Sequence, residues 1–333
     1  MESTDPVRVV AAGDRFVLPS LITAAIHHEL DEHPCEVREL VFAEDAGDAE
    51  EELIKALADA EVLVTRGGPV TERVLAAAPE LRLLVVCRGG PVNVDLDAAK
   101  AHGVRVCRAP GGEAAATAEF TVGLMLAALR RIPEAHEFLT RRGRWQGPAS
   151  PAYEHAGPEL EDLPVGLIGH GAVGSRVARV LCAFGARVMV CDPYVRGEVH
   201  GLRIGSLDDL LRRSRVITLH APLTSGTRGL IGARELALLP RGAVVVNAAD
   251  GDLLDEDALC DALESGQLSA AALDTYAHEP LPPDSRLLAL AQRLVLTPRL
   301  GGSSRAAAEK AAGIAAEEVG RWVRGEPPAH SLA

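Results

Sequence analysis

Short apolar runs alternate with amphipathic stretches along the whole chain, and this alternation limits the possible folds more than any other feature. In the first half the apolar runs are residues 7–12, 37–42, 62–65, 83–87 and 104–106. Runs of this length predict buried strands, and the stretches between them have the periodicity of helices. Strands and helices in alternation imply a parallel sheet whose strands are joined by right-handed crossovers.

A second alternating series predicts a second sheet. Its six apolar runs are residues 165–168, 188–192, 216–220, 244–247, 270–274 and 294–297. Between the two series lie a long apolar helix, predicted for residues 113–131, and a loop-like stretch rich in glycine and proline over residues 140–164. A last helix is predicted for residues 303–324. The predicted fold class is therefore α/β, with two Rossmann-like or flavodoxin-like domains built on parallel sheets.

Composition and charge narrow the class of function. A chain of 333 residues with 47% hydrophobic content is long enough for two domains with their own cores. The formal net charge of −13, with the basic residues scattered, would repel a nucleic acid, so chemistry on a small molecule is expected. No apolar run approaches the ~20 residues of a membrane span, and "MESTDPVRVV" has no signal-peptide pattern. We therefore expect a cytoplasmic protein with no membrane partner.

The cysteines give no sign of a disulfide framework or a metal site, because none of them has CxxC or Cys/His spacing. Cys87, Cys107 and Cys191 lie in or beside apolar runs. We interpret all six cysteines as buried thiols, namely Cys35, Cys87, Cys107, Cys182, Cys191 and Cys260.

A glycine pattern follows the first strand of the second series. In "VGLIGHGAVGSRVARVL", Gly169, Gly171 and Gly174 have the spacing of a dinucleotide-binding turn: the first permits a tight turn, the second lets backbone approach a pyrophosphate, and the third lets helix and strand pack closely. The next strand ends at Asp192, about 20 residues on, where a carboxylate binds a ribose 2′-hydroxyl and repels a 2′-phosphate. The sequence predicts NAD as cofactor in preference to NADP, although Asp192 could also be a solvated strand-end carboxylate.

Several blocks in order resemble the D-2-hydroxyacid dehydrogenase family, which includes phosphoglycerate dehydrogenase. They are "RGGPVNVDLDAAKAHGVRV", "RAPGGEAAATAEFTVGLML", the glycine pattern, "LHAPLTSGTRGLI", "LPRGAVVVNAADGDLLDEDAL", "AALDTYAHEPLP" and "LTPRLGG". The likeness covers nearly the whole chain. It implies an NAD-binding domain over residues 113–300, inserted into a substrate domain of residues 1–112 and 301–333. It also implies an active site in the cleft between the domains and a homodimer formed through the NAD-binding domain.

The resemblance also implies further cofactor contacts. Ala172 and Val173 would meet the pyrophosphate, Ala221 the far side of the cofactor, and Asp274 the carboxamide. The other positions that it assigns to the cofactor are Pro222, Ala248 and Gly301.

The sequence departs from the family at the catalytic groups. The family uses an arginine to bind the substrate carboxylate, a histidine to exchange the proton and a glutamate beside that histidine. Glu279 stands at the glutamate position, but Asp250 replaces the arginine and Arg299 replaces the histidine. Arginine has a pKa above ~12 and cannot exchange protons near neutral pH, but it can bind an anion. Glu279 or Asp250 would then handle the proton, with Arg299 holding the anion.

Other residues could complete or replace these groups. Arg88 with Gly89 and Gly90 lies in the block resembling the substrate loop, and Arg108 follows nearby, so these residues are candidates for binding a small anionic substrate. Each arginine could instead serve domain packing. His220 and His278 are alternative proton carriers, and His220 could equally be a structural residue at its strand end.

Two classes of function stay open at this point. The first is an NAD-dependent oxidoreductase with a rearranged active site. The second is a catalytically silent NAD-binding protein, a cofactor sensor or partner subunit, in which Asp250 and Arg299 pair with each other.

Overall fold

The computed structural model describes residues 5–31, 33–42, 48–90, 93–142 and 156–332. The chain divides into two compact units, one made of Met1–Glu113 with Ser303–Ala333 and the other of Ala114–Gly302. Of the predicted loop-like stretch, residues 143–155 lie outside the described residues.

Five parallel strands form the sheet of the first unit. They are β1 (Val7–Gly13), β2 (Cys35–Val41), β3 (Val62–Thr65), β4 (Leu83–Val86) and β5 (Arg105–Arg108). Their order across the sheet is β2-β1-β3-β4-β5, the order of flavodoxin-like folds.

Helices cover both faces of this sheet, since successive strand residues point to opposite sides. Val9 and Ala11 of β1 pack in one core, and Val10 and Ala12 pack in the other. The first core is completed by helices α1 (Pro19–Glu29) and α12 (Arg305–Val323), and the second by α2 (Ala49–Ala56), α3 (Glu72–Ala76) and α4 (Leu96–Ala101).

Seven parallel strands form the sheet of the second unit. They are β6 (Pro164–Ile168), β7 (Arg187–Cys191), β8 (Leu202–Arg203), β9 (Val216–Leu219), β10 (Ala243–Asn247), β11 (Leu268–Leu273) and β12 (Leu294–Leu296). Their order is β12-β11-β10-β9-β6-β7-β8. The chain runs outward from β6 to β8 and then crosses to β9 on the other side of β6, so the ends of β6 and β9 form the topological switch point, where ligands bind in such sheets.

Two helices of the second unit precede its first strand in sequence, and the others lie between its strands. They are α5 (Ala114–Leu129), α6 (Ile132–Glu137), α7 (Gly174–Ala183), α8 (Leu207–Arg213), α9 (Ala233–Leu238), α10 (Glu256–Glu264) and α11 (Arg286–Ala289). Short helical turns cover Phe138–Arg142, Gly251–Leu253 and Ala291–Arg293. Two parallel sheets with helices between their strands confirm the predicted α/β class.

The predicted long helix is shorter in the structure and is followed by a separate one. Helix α5 ends at Leu129, and Arg131 has a left-handed φ of 51° before α6 begins. Pro133 has no N–H to donate to the carbonyl of Leu129, so an uninterrupted helix could not continue through this point.

The cysteine interpretation needs one correction. Cys87, Cys107 and Cys260 are buried, and Cys35 and Cys191 are partly buried, but Cys182 is exposed. Cys182 lies in α7, where the preceding Leu181 faces the core, so the next residue is turned about 100° toward the surface. Burial raises the pKa of the Cys87 and Cys107 thiols to about 12, so both are protonated near neutral pH.

Candidate functional site

The glycine turn after β6 is packed so closely that two of its positions require glycine. Gly169 has a φ of 92°, and a Cβ there would lie 2.6 Å from the backbone nitrogen of Ala221. A Cβ on Gly174 would overlap the carbonyl oxygen of Gly169. In contrast, nothing lies within 4 Å of a Cβ built on Gly171. The turn is therefore closed at its first and third glycines and open at its second, which is the position where a pyrophosphate would approach the backbone.

Ala172 and Val173 lead from this open position into α7, which begins at Gly174. The first N–H groups of a helix have no carbonyl partner within the helix, and they carry the positive end of its dipole. This end of α7 is therefore suited to a phosphate group.

Asp192 lies just beyond β7 and binds the same turn. Its Oδ2 accepts a hydrogen bond of 2.7 Å from the backbone N–H of His170, and its Oδ1 accepts from those of Tyr194, at 2.8 Å, and Val195, at 3.2 Å. Burial opposes the charged form, but these three donors outweigh it and lower the pKa of Asp192. The carboxylate is therefore ionised at neutral pH, as binding of a ribose hydroxyl and repulsion of a 2′-phosphate both require.

His220 follows β9 on the other side of the switch point. Its Nε2 lies 3.0 Å from the hydroxyl of Thr218, and burial lowers the pKa of the imidazole to about 3. A neutral imidazole with this pKa does not exchange a proton near pH 7. Beyond it, Ala221 is partly buried against Gly169 and Pro222 is exposed.

Asp274 organises the segment that carries Arg299. The carboxylate is 3% exposed and accepts from the Thr297 hydroxyl at 2.6 Å, from Leu300 N–H at 2.8 Å and from Gly301 N–H at 2.7 Å. The backbone carbonyl of Asp274 also accepts from the N–H of Arg299, at 2.9 Å. A Cβ on Gly301 would lie 2.9 Å from Oδ2 of Asp274, so glycine is needed for this approach.

Arg299 is paired with Glu279. Its Nη1 lies 2.6 Å from Oε2 of Glu279, and the other carboxylate oxygen accepts from the N–H of Tyr276 at 3.0 Å. Arg299 has a backbone φ of 52°, which residues other than glycine rarely adopt, and its side chain is 62% exposed. Arg299 is thus held at a fixed place with its cation presented to solvent.

Tyr276 is a residue of this region that the sequence reasoning missed. Its hydroxyl donates to the carbonyl of Thr297 at 3.0 Å, and burial raises the pKa of the phenol to about 12. In the sequence Tyr276 looks like an ordinary aromatic core residue near Glu279 and Pro280. The sequence therefore gives no indication of its hydrogen bond to Thr297.

Asp250 follows β10 and caps the short helical turn that comes next. Its Oδ1 accepts from the N–H of Asp252 at 3.1 Å, and the carbonyl of Asp250 accepts from Asn247 at 2.7 Å. Ala248 is buried in the core on one face of the sheet, whereas His278 is exposed.

The first unit carries the other predicted residues at the carboxyl edge of its sheet. The Nη1 of Arg108 donates to the carbonyl of Gly89 at 3.0 Å, so Arg108 holds the loop of Arg88, Gly89 and Gly90. A Cβ built on either glycine would meet nothing within 4 Å. This loop therefore presents open backbone beside two arginines.

Arg66 joins these residues and was not identified from the sequence. It directly follows β3, and Thr65 pairs in register with Val86, which pairs with Arg108. Arg66 therefore lies at the same sheet edge as Arg88 and Arg108. Its position after an apolar run in a parallel sheet was a signal that the sequence offered. Among the described residues, the Nε atoms of Arg66 and Arg108 are buried without a hydrogen-bond partner.

The residues that the structure describes contain no group of three or more His, Cys, Asp and Glu side chains that could hold a metal ion. No helix among them has the length and apolar character needed to cross a membrane.

The switch-point turn, the ionised Asp192 and the parallel sheet define a dinucleotide-binding α/β protein. Residues 122–301 match the family model described as D-isomer specific 2-hydroxyacid dehydrogenase, NAD binding domain. The chain belongs to the D-isomer specific 2-hydroxyacid dehydrogenase family, and NAD is its cofactor. This confirms the resemblance seen in the sequence.

Relatives of known name extend the comparison beyond that domain. The chain is 39% identical over 311 residues to D-3-phosphoglycerate dehydrogenase of Methanocaldococcus jannaschii, which covers 92% of this chain and 57% of that protein. It is 37% identical over 287 residues to glyoxylate reductase of Aeropyrum pernix, covering 84% of each. The chain spans about half the length of the phosphoglycerate dehydrogenases that it matches.

Among solved structures, a protein of Thermus thermophilus superposes with a TM-score of 0.85 at 31% identity. The superposition covers 98% of this chain and 100% of that one. The likeness to solved structures thus extends through both units.

Proposed function

We propose that this chain is an NAD-dependent oxidoreductase that acts on the CH–OH group of a small anionic hydroxy acid, or on the matching oxo acid in reverse. Family membership supports the class of reaction. Two relatives are named for 3-phosphoglycerate and glyoxylate, and both compounds are anions. The arginines at the sheet edge of the first unit, Arg66, Arg88 and Arg108, provide cations for such a ligand.

The residues around the glycine turn fit NAD. When bound, NAD supplies the hydride acceptor or donor. Gly171, Ala172 and Val173 offer open backbone and a helix end to the pyrophosphate, and Asp192 offers its carboxylate to a ribose hydroxyl. The assignments of Ala221, Pro222, Ala248, Asp274 and Gly301 to the cofactor stay predictions.

The single observation that carries the proposal for the catalytic groups is the 2.6 Å ion pair between Arg299 and Glu279. We propose that Arg299 stands where the family has its histidine and that it binds the substrate anion and polarises the reacting oxygen. Both oxygens of Glu279 accept hydrogen bonds, so Glu279 orients Arg299. The proton exchange is then left to Asp250, acting through water.

We assign substrate binding to the first unit, with Arg88, Gly89, Gly90 and Arg108 as its contacts, and NAD binding to the second. The cytoplasmic location expected from the sequence stays a prediction.

We further propose a homodimer formed through the NAD-binding unit. Ile132 of α6 is 54% exposed, and Leu139, two turns later, is 50% exposed. Beside them lies a cavity of about 580 Å³ bounded by α5, α6 and the amino ends of β10, β11 and β12. Family resemblance is the ground for this proposal, and the two exposed apolar side chains are its candidate contacts.

A silent NAD-binding protein is the second candidate, because His220, with a pKa of about 3, does not exchange a proton near neutral pH, and an arginine stands where the family has its histidine. In this candidate Arg299 was expected to pair with Asp250. The structure describes an ion pair of Arg299 with Glu279.

The test is NADH oxidation by the protein with a panel of anionic 2-oxo acids. The enzyme proposal expects turnover of at least one, with Arg299→Ala weakening substrate binding by about 1.5 to 3 kcal/mol at unchanged NADH affinity. In the opposite direction, measured as NAD+ reduction, D-lactate, D-glycerate and 3-phosphoglycerate should be oxidised slowly, and the variant Asp250→Arg with Arg299→His should gain activity on them. NADH binding without turnover of any compound would favour the silent protein.

A further inference from the structure

Arg66 is held by two carboxylates of its own unit. Its Nη1 lies 3.5 Å from Oδ2 of Asp14, and its Nη2 lies 3.3 Å from Oε1 of Glu113. Its guanidinium also stacks over the ring of Phe16, 4.8 Å from the ring centre. The side chain is 14% exposed, so this cation is fixed at the sheet edge.

Neither ion pair has the geometry of a tight arginine–carboxylate pair. Such pairs are commonly bidentate with N–O distances of about 2.7 to 2.9 Å, and both distances here are longer. In addition, the buried Nε of Arg66 has no hydrogen-bond partner among the residues that the structure describes. A buried guanidinium donor without a partner is costly. Arg66 is therefore incompletely satisfied by Asp14 and Glu113.

The two carboxylates differ in how firmly they are held. Oδ1 of Asp14 accepts from the N–H groups of Phe16 and Val17, both at 2.8 Å, and this fixes Asp14 in its turn. The two side chains are about equally exposed, at 33% for Asp14 and 36% for Glu113. Displacing Asp14 from Arg66 would disturb its two backbone hydrogen bonds, whereas the Glu113 carboxylate is carried by one more rotatable bond and can turn away by a change of rotamer.

We propose that Glu113 is a specificity-determining residue of the anion site on the first unit. Its carboxylate forms an ion pair with the guanidinium of Arg66 and is displaced when a ligand anion binds to that guanidinium. This rests on the proposed anion-binding role of the sheet edge that carries Arg66, Arg88 and Arg108. Because Glu113 is itself an anion, it opposes ligands in proportion to their charge, so it disfavours dianions more than monoanions.

The test is calorimetric titration of the full-length protein with sulfate, a dianion, and acetate, a monoanion, at constant ionic strength. Glu113→Gln should bind sulfate roughly tenfold and acetate roughly threefold more tightly than wild type, because electrostatic repulsion scales with ligand charge. Glu317→Gln makes the same change in net charge at an exposed position of α12 and should leave both affinities unchanged.

A second variant links the effect to Arg66. In the double variant Glu113→Gln with Arg66→Gln, the gain for sulfate should disappear. Far-ultraviolet circular dichroism and the unfolding midpoint establish that each variant is folded.

The outcomes separate this inference from the proposal on which it rests. Wild-type sulfate binding that Arg66→Gln abolishes and Glu113→Gln leaves unchanged would overturn the role of Glu113 alone. Sulfate binding that is absent from wild type and from Glu113→Gln would overturn both the inference and the anion site. Equal gains for sulfate and acetate would show that Glu113 sets affinity without selecting by charge, and would also reject the proposal.

Discussion

Asp192 accepts hydrogen bonds from three backbone N–H groups, and these bonds keep the carboxylate ionised and directed at the glycine turn. An ionised carboxyl group can accept about four hydrogen bonds, so one position is left for a ribose hydroxyl. The same charge would lie against the 2′-phosphate of NADP. At a separation of about 4 Å this repulsion is on the order of a few kcal/mol near a protein surface.

The first prediction concerns this residue. Wild type should bind NADH at least about 30-fold more tightly than NADPH. Asp192→Asn should reduce this ratio of affinities, because the asparagine removes the negative charge and keeps one acceptor oxygen. Calorimetry with both cofactors measures this. If wild type bound the two with equal affinity, Asp192 would have no part in cofactor choice.

His220 gives a second prediction, on stability against pH. Burial lowers the pKa of folded His220 to about 3, and an unfolded histidine has a pKa of about 6.5. Between these values the unfolded state holds a proton that the folded state excludes, so stability falls as the pH falls from 6.5 toward 3. From pH 7 to pH 5 this group should remove at most about 2 kcal/mol of the free energy of unfolding.

Urea unfolding at pH 7 and pH 5 measures the effect. His220→Gln should lose less stability than wild type over this interval. His200→Gln, which removes an exposed imidazole, is the matched control and should behave like wild type. If His220→Gln lost as much stability as wild type between pH 7 and pH 5, protonation of His220 would not be the cause of that loss.

At the scale of elements, the glycine turn between β6 and α7 provides a test with an internal control. Gly174→Ala should destabilise the fold by several kcal/mol, since its Cβ would overlap the carbonyl oxygen of Gly169. Gly171→Ala has space around its Cβ, so it should fold with near wild-type stability and lose NAD affinity, because the new methyl group occupies the place of the pyrophosphate. Retention of NAD binding in Gly171→Ala would place the cofactor elsewhere.

Most strands were predictable because they are short apolar runs whose residues are buried, as in β3, β4, β9 and β10. The edge strand β2 has no buried residue. Strand β8 was not predicted, since it has only two residues and Leu202 is 54% exposed. The glycine turn was predictable because its spacing reflects steric needs that the structure shows at Gly169 and Gly174.

The partners of charged residues were harder to foresee. The pairing of Arg299 with Glu279 depends on the left-handed backbone of Arg299 and on the bonds that Asp274 makes to its segment. Residues distant in sequence decide these contacts, and apolar periodicity carries no information about them. Arg66 was not predicted for a different reason, since it lies at the end of β3 and outside the sequence blocks that resemble the family.

At the scale of the whole molecule, each unit has a parallel sheet covered on both faces by helices, so little apolar surface should remain exposed on either. The segment from α6 to Leu139 departs from this expectation. Ile132 and Leu139 are about half exposed beside a cavity of about 580 Å³. These residues lie near the amino ends of β10 to β12, away from the carboxyl ends that carry the glycine turn and Asp274, so covering them would leave the cofactor region open.

The last prediction follows from that position. If two copies associate through this face, Ile132→Asp with Leu139→Asp should shift the protein from dimer to monomer in sedimentation equilibrium, because two carboxylates would have to be buried in the interface. NADH affinity should change little. Leu202→Asp, at the opposite edge of the same sheet and equally exposed at 54%, is the control and should leave the dimer intact. A double variant that stays dimeric would place the interface on another surface. A monomeric wild type would overturn the proposal, because Ile132 and Leu139 would then be exposed to solvent in the functional protein as well.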